Sequence, residues 1–200
     1  KALFYEEWLK YSVYEKKLFK KFKNWVVCSR VDLNYLKKRA PKDVDFHLVP
    51  NGVDIDFYDF RKEAKDKKIV LFSGLMDKIV NIEAAEYFAR DIWLIIINQV
   101  REAKFYIVGP KPVERIRILK SSSIEVLGEV SDLRNYIEMA TIVSSPLKTG
   151  SGTRNKILQA WAMGRPVVTT EKGLEGLVAE DGKHVLVANN AHDFASAVIR

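Results

Sequence analysis

The 200 residues are 48% hydrophobic, enough to bury a sizeable core in one domain or in one domain plus a piece. No apolar run is long enough to span a membrane, and no signal-peptide pattern is present. The single cysteine, Cys28, excludes an internal disulfide and points to a reducing, cytoplasmic setting. A net charge of +7 favours anionic partners: a nucleotide, an acidic lipid surface or nucleic acid. The first residue is Lys rather than Met, which suits a piece cut from a longer chain.

In chain order, residues 1–23 read as a basic, aromatic helix. Phe4, Trp8, Tyr11, Tyr14, Leu18 and Phe22 recur mostly at three and four, with lysines around them. Such a stripe can lie on an anionic bilayer at the inner face of a membrane, or dock on a protein core. Asn24–Ser29 looks like a buried strand, Val31–Arg39 a short helix with Asp32 near its start, and Phe46–Val49 a strand. Pro50-Asn51-Gly52-Val53-Asp54 is a turn signal, and Phe60–Lys68 a charged, solvated stretch.

From there strands and helices alternate. Ile69–Ser73 is an apolar strand closed by Gly74, Ile82–Ala89 is helical, and Ile92–Ile97 is too apolar for a surface. Lys104–Val108 ends in Gly109, Val113–Lys120 is a short helix, and Ile124–Leu127 ends in Gly128. Asp132–Ala140 is a helix capped by Ser131, and Thr141–Ser145 a strand stopped by Pro146. Strands follow at Pro166–Thr170 and His184–Val187, then a helix begun by Asn190. The alternation predicts an α/β fold with a doubly wound parallel sheet, whose ligands sit at the strands' carboxyl ends.

The stretch from Ser144 to Thr170 carries the chemistry. Gly150-Ser151-Gly152-Thr153 feeds a helix from Arg154 to Met163, which Gly164 and Pro166 end. A glycine loop opening a helix gathers unpaired amides and the helix dipole at one spot, which suits an anion. Ile157, Leu158 and Trp161 form the face expected to pack on the sheet. Gly152, Lys156, Gln159 and Met163 share another, placing Lys156 one turn above the loop with Gln159 beside it. A phosphate with a neighbouring hydroxyl fits that pair; an ordinary loop and a solvated lysine fit the spacing as well.

Other motifs are weaker. Asp54-Ile55-Asp56 has a pattern that some glycosyltransferases use for a metal, but it follows a turn and is given no metal role. His47, His184 and His192 show no ligand spacing. Nucleic acid is not taken as a partner, because basic residues interleaved with aromatics occur in the first helix alone.

Val49-Pro50-Asn51-Gly52-Val53-Asp54, Phe72-Ser73-Gly74, Phe105-Tyr106-Ile107-Val108-Gly109 and Val126-Leu127-Gly128 resemble the retaining glycosyltransferases of family 4, which have the two-domain GT-B fold. Pro146 to Ala160 closely resembles a branch whose loop reads Pro-Leu-x-x-Gly-x-Gly-Thr-Arg-x-Lys-Ile-Leu-Glu-Ala. Glu175-Gly176-Leu177 and His184-Val185-Leu186-Val187 continue the likeness, which covers roughly residues 24–200.

The resemblance implies a Rossmann-like, donor-binding C-terminal domain at 55–200. Residues 1–54 would be the tail of the N-terminal acceptor domain plus the interdomain linker, the rest of that domain being a missing partner. Gly74 would lie near the donor phosphates, and Gly109, Gly128, Glu129 and Val130 would edge the nucleobase pocket. Gly150, Ser151, Gly152, Thr153, Arg154 and Lys156 would take the diphosphate, with Arg154 and Lys156 stabilising it as it leaves, and Gln159 would face the ribose. No metal and no cofactor are implied, since the nucleotide-diphosphate sugar is itself the substrate.

Two departures stand out. Two glutamates eight apart in many members are Ser151 and Gln159 here, and an arginine after the first strand's glycine is Leu75. The expected activity is retaining hexosyl transfer to a glycan or lipid-linked acceptor. The isolated piece is expected to bind donor without transferring it. The rival reading is a non-catalytic nucleotide-binding or scaffold module.

Overall fold

The computed structural model describes residues 2–59, 67–150 and 152–200, with side chains from Tyr5 onward. The chain divides into one unit ending at Asn51 and another beginning at Gly52. In the first, α1 (Ala2–Lys21) leads to β1 (Asn24–Val27), α2 (Arg30–Lys37) and β2 (Asp45–Leu48), and β1 pairs with β2 in parallel. Ser29 starts α2 by accepting from the amide of Asp32 at 3.0 Å.

The packed side of α1 is rotated from the predicted stripe. Phe19 is buried against Trp25 and Phe46, with ring centroids 4.8 and 6.2 Å away. Arg39 donates to Ser12 Oγ at 2.7 Å and lies over the rings of Trp8 and Tyr35. Tyr11, Tyr14 and Phe22 stand in solvent, and Leu18 is part-buried. The strand expected to be buried is half so: Val27 is covered and Val26 exposed, as in a small sheet packed on one face.

In the second unit, Asp54 Oδ1 accepts from the amides of Asp56 and Phe57 at 3.0 and 2.9 Å, and its carbonyl from that of Tyr58. The Asp-x-Asp pattern thus closes a turn. Of the predicted solvated stretch, residues 60–66 lie outside the described residues.

Six strands follow: β3 (Ile69–Ser73), β4 (Lys104–Val108), β5 (Ile124–Gly128), β6 (Ile142–Ser145), β7 (Val167–Thr169) and β8 (Leu186–Val187). They form one parallel sheet in the order β5-β4-β3-β6-β7-β8. The unit's first strand is therefore central, and chain direction across the sheet reverses between β3 and β6. Helices cover both faces, so β3 is buried at every position. Val70 and Phe72 join one core with Phe88, Trp93, Phe105 and Phe194; Leu71 joins the other with Val143, Ile157 and Met163.

The predicted helix after β3 and the apolar run beyond it are one continuous rod. α3 (Ile79–Tyr87) passes through a π turn at Phe88–Ile92 into α4 (Trp93–Gln99). The wider turn lets Phe88, Ile92, Trp93 and Ile96 all reach the core. The remaining helices are α5 (Glu114–Arg117), α6 (Leu133–Met139), α7 (Asn155–Ala162), α8 (Glu171–Leu174) and α9 (Ala191–Ile199). Asp132, not Ser131, caps α6 by accepting from the amide of Arg134 at 2.9 Å. α8 escapes the sequence reading; Thr170 caps it, and Gly173 lies so close to the sheet that a Cβ would stand 2.1 Å from Thr169 Oγ1.

Candidate functional site

The carboxyl ends of β3, β4 and β5 are laced by their glycines. Gly74 N–H donates to the Val108 carbonyl at 3.0 Å, and Gly109 N–H to the Gly128 carbonyl at 2.7 Å. A Cβ on Gly109 would stand 1.7 Å from the Gly74 carbonyl oxygen, so no side chain fits there. Beside them opens a cleft of about 300 Å³ lined by Gly74, Leu75, Pro110, Glu129, Val130 and Leu133, among others. Gly74, Gly109, Glu129 and Val130 thus border one space; Gly128 does not line it, but its carbonyl holds Gly109.

The loop and helix after β6 approach Gly74 from across the reversal point. Asn81, in the first turn of α3, makes the junction. Its Nδ2 donates to the Leu75 carbonyl at 2.9 Å, and its Oδ1 accepts from Lys156 Nζ at 3.3 Å. The same carboxamide packs on Gly74, where a Cβ would meet Asn81 Nδ2 at 2.8 Å. Lys156 Nζ also lies over the Phe72 ring, 4.0 Å from its centroid. Gly150, at φ +96°, leaves room for the Arg154 guanidinium, whose Nη2 would be 3.2 Å from a Cβ there. Thr149 Oγ1 donates to Glu83 Oε2 on α3 at 3.2 Å, tying the loop to that helix.

Two cations therefore share one partly dry corner. Burial, and then the adjacent Arg154 charge, push Lys156 down to about 7. Burial also lowers Arg154, with Glu175 pulling the other way. Such a pair suits an anion, which favours the charged form of both groups.

The packing face of α7 matches the prediction in part: Ile157 is buried and Trp161, part-buried, packs against the same core, which Ala160 and Met163 join, whereas Leu158 does not. Met163 belongs to the core, and Lys156, two turns before it on the same face, is part-buried. Gln159 does not stand alone beside it: its Nε2 donates to the Tyr58 hydroxyl at 2.9 Å. Arg134 holds the same segment, donating to the Phe57 carbonyl at 3.1 Å with its guanidinium over the Phe57 ring. Gly152 and Thr153 lie on the path from loop to helix, with Gly152 at φ +85° in open space; Ser151 lies outside the described residues. Sequence reasoning missed Asn81 and Tyr58, although an amide in the first turn after a strand-ending glycine is a signal for the former.

The profile of the glycosyl transferases group 1 family matches residues 67–200. The chain belongs to that family. No curated protein matches this glycosyl transferase group 1 chain.

Among solved structures, TarM of S. aureus superposes with a TM-score of 0.73 at 20% identity, over 92% of this chain and 38% of its own. Sucrose-phosphate synthase from Thermosynechococcus elongatus gives 0.71 at 19%, over 94% and 51%. Anabaena Alr3699/HepE in complex with UDP and glucose gives 0.65 at 14%, over 86% and 51%. The chain thus spans about half or less of these GT-B proteins' length, and the likeness is one of fold. Among the described residues no helix is long and apolar enough to cross a membrane, and no group of three or more His, Cys, Asp or Glu could hold a metal.

Proposed function

We propose that this chain supplies the donor-binding half of a retaining hexosyltransferase, taking a nucleotide-diphosphate sugar and passing its sugar to a glycan or lipid-linked acceptor. One observation carries the reading: Lys156 and Arg154 converge with Gly74 and Asn81 at the sheet's reversal point, next to a cleft sized for part of a nucleotide. In that frame Gly109, Gly128, Glu129 and Val130 edge the base, and Gly150 to Thr153, Arg154 and Lys156 hold the diphosphate.

The chemistry asked of these groups is electrostatic. When the bond from the sugar's anomeric carbon to the diphosphate oxygen breaks, negative charge collects on the leaving group. Preorganised cations and amides in a dry corner stabilise that charge more than water does. The acceptor's hydroxyl oxygen forms the new bond to the anomeric carbon and gives up its proton; the surface that binds the acceptor and closes over the donor belongs to the N-terminal domain, of which residues 1–54 are the tail. The reading places the protein in the cytoplasm. Tyr11 and Tyr14, exposed on α1 among lysines, suit either the inner face of a membrane or docking on the rest of the N-terminal domain.

Titration of the chain with UDP and other nucleoside diphosphates tests the reading. Each charge-assisted contact is worth ~1.5–3 kcal/mol, so replacing both Arg154 and Lys156 by Ala should remove measurable binding while the fold survives. Unchanged affinity for every nucleoside diphosphate that binds would overturn it.

A further inference from the structure

We propose that Asn81 is the positioning residue of the phosphate site, its carboxamide fixing the Lys156 ammonium against the Gly74–Leu75 turn. The inference rests on the donor-site reading above and adds to it a residue from α3, the helix on the far side of the reversal point.

Three contacts converge on one small group. The amide nitrogen is committed to the Leu75 carbonyl and the amide oxygen to Lys156, while the whole group lies flat on Gly74. A neutral acceptor is the suitable partner here. A carboxylate at this place would satisfy the lysine fully and repel a phosphate, whereas an apolar side chain would leave the ammonium on the Phe72 ring alone. Asn81 orients the lysine while leaving its charge to be neutralised by a ligand.

The surrounding charges agree with this division. From α7 the guanidinium of Arg154 faces Lys156 and pushes its proton off; Glu175 acts on Arg154. On α3, Glu83 is engaged by Thr149. Asp77, in the turn before α3, has Lys78 and Lys111 within 4.0 Å.

The test compares UDP, inorganic pyrophosphate and uridine by isothermal titration from pH 6.5 to 9, on the native chain, Asn81→Ala, Asn81→Asp and Lys156→Ala. Loss of one oriented hydrogen bond predicts about tenfold weaker UDP and pyrophosphate binding in Asn81→Ala, with uridine unchanged. Asn81→Asp should weaken both phosphates more, and Asn81→Ala should move the pH midpoint of UDP affinity downward, because the Lys156 ammonium loses the amide oxygen that favours its charged form. Removing a merely structural asparagine would leave that midpoint in place. If Asn81→Ala fails to fold, Asn81→Ser, which stays polar but lacks the amide's reach, decides through the same midpoint. Native affinity and midpoint in both Asn81 variants, with Lys156→Ala impaired, would overturn the role of Asn81 alone. UDP binding indifferent to Lys156→Ala would overturn the phosphate site, and the inference with it.

Discussion

The two cations at the corner make proton uptake a signature of ligand binding. Lys156 titrates at about 7 in the empty protein, so at pH 8 it carries roughly a tenth of a proton. A diphosphate seated on it restores the charged form, so binding at pH 8 should draw in about 0.9 proton from the buffer. Affinity for UDP should then fall nearly tenfold between pH 7.5 and 8.5, a step of about 1.4 kcal/mol per pH unit. Titrations in two buffers of different ionisation enthalpy read the uptake directly, and Lys156→Met should abolish it. The same group predicts a stability trend of definite sign. Between about 7 and 10.5 the unfolded chain binds a proton that the folded one does not, so raising pH stabilises the native chain relative to Lys156→Met. Intact UDP binding with no proton uptake and a flat profile from pH 6.5 to 9 would refute the argument.

Gly109→Ala should destabilise the second unit by at least ~3 kcal/mol or prevent its folding, since a Cβ there overlaps the Gly74 carbonyl; chemical denaturation reads it. Tyr58→Phe removes the acceptor of Gln159 and should cost ~1 kcal/mol of stability, whereas Gln159→Glu keeps the pair by accepting a hydrogen bond from the tyrosine hydroxyl. Gln159→Glu should also tighten UDP binding or leave it unchanged, and a clear loss would show that repulsion from the diphosphate dominates there. α1 should bind anionic vesicles modestly and release them as salt rises, each lysine adding about 1 kcal/mol at most. Equal binding to neutral vesicles would argue against that surface role.

Local chemistry told the sequence reading a great deal. Glycines closing three strands, a proline after a fourth and a glycine loop before a helix are short-range signals, and each marked its element correctly. Patterns that depend on which neighbour arrives were harder. Phe19 rather than Leu18 faces the first unit's sheet, and Met163 lies deeper in the second unit's core than Trp161, which packs on its edge, because an amphipathic period fixes spacing but not which edge of the stripe meets a partner. The π turn at Phe88–Ile92 has no composition signature; it lets Phe88, Ile92, Trp93 and Ile96 share one buried face. α8 is a four-residue turn whose capping threonine was read as the end of the strand before it.

The site's two missed residues share a cause. Asn81 meets Lys156 across 75 positions of sequence, and Tyr58 meets Gln159 across 101. Neither pair has a period to detect, because each joins elements that only the sheet's order brings together. Yet these contacts decide the chemistry. An exposed lysine above a glycine loop would stay charged and contribute little specificity; the same lysine, part-buried over the Phe72 ring and bonded to Asn81, is pushed by burial and the Arg154 charge toward losing its proton. On the proposed reading a phosphate would gain both a cation and the burial already imposed on it, and the loop-helix would favour a doubly charged ligand over a neutral one.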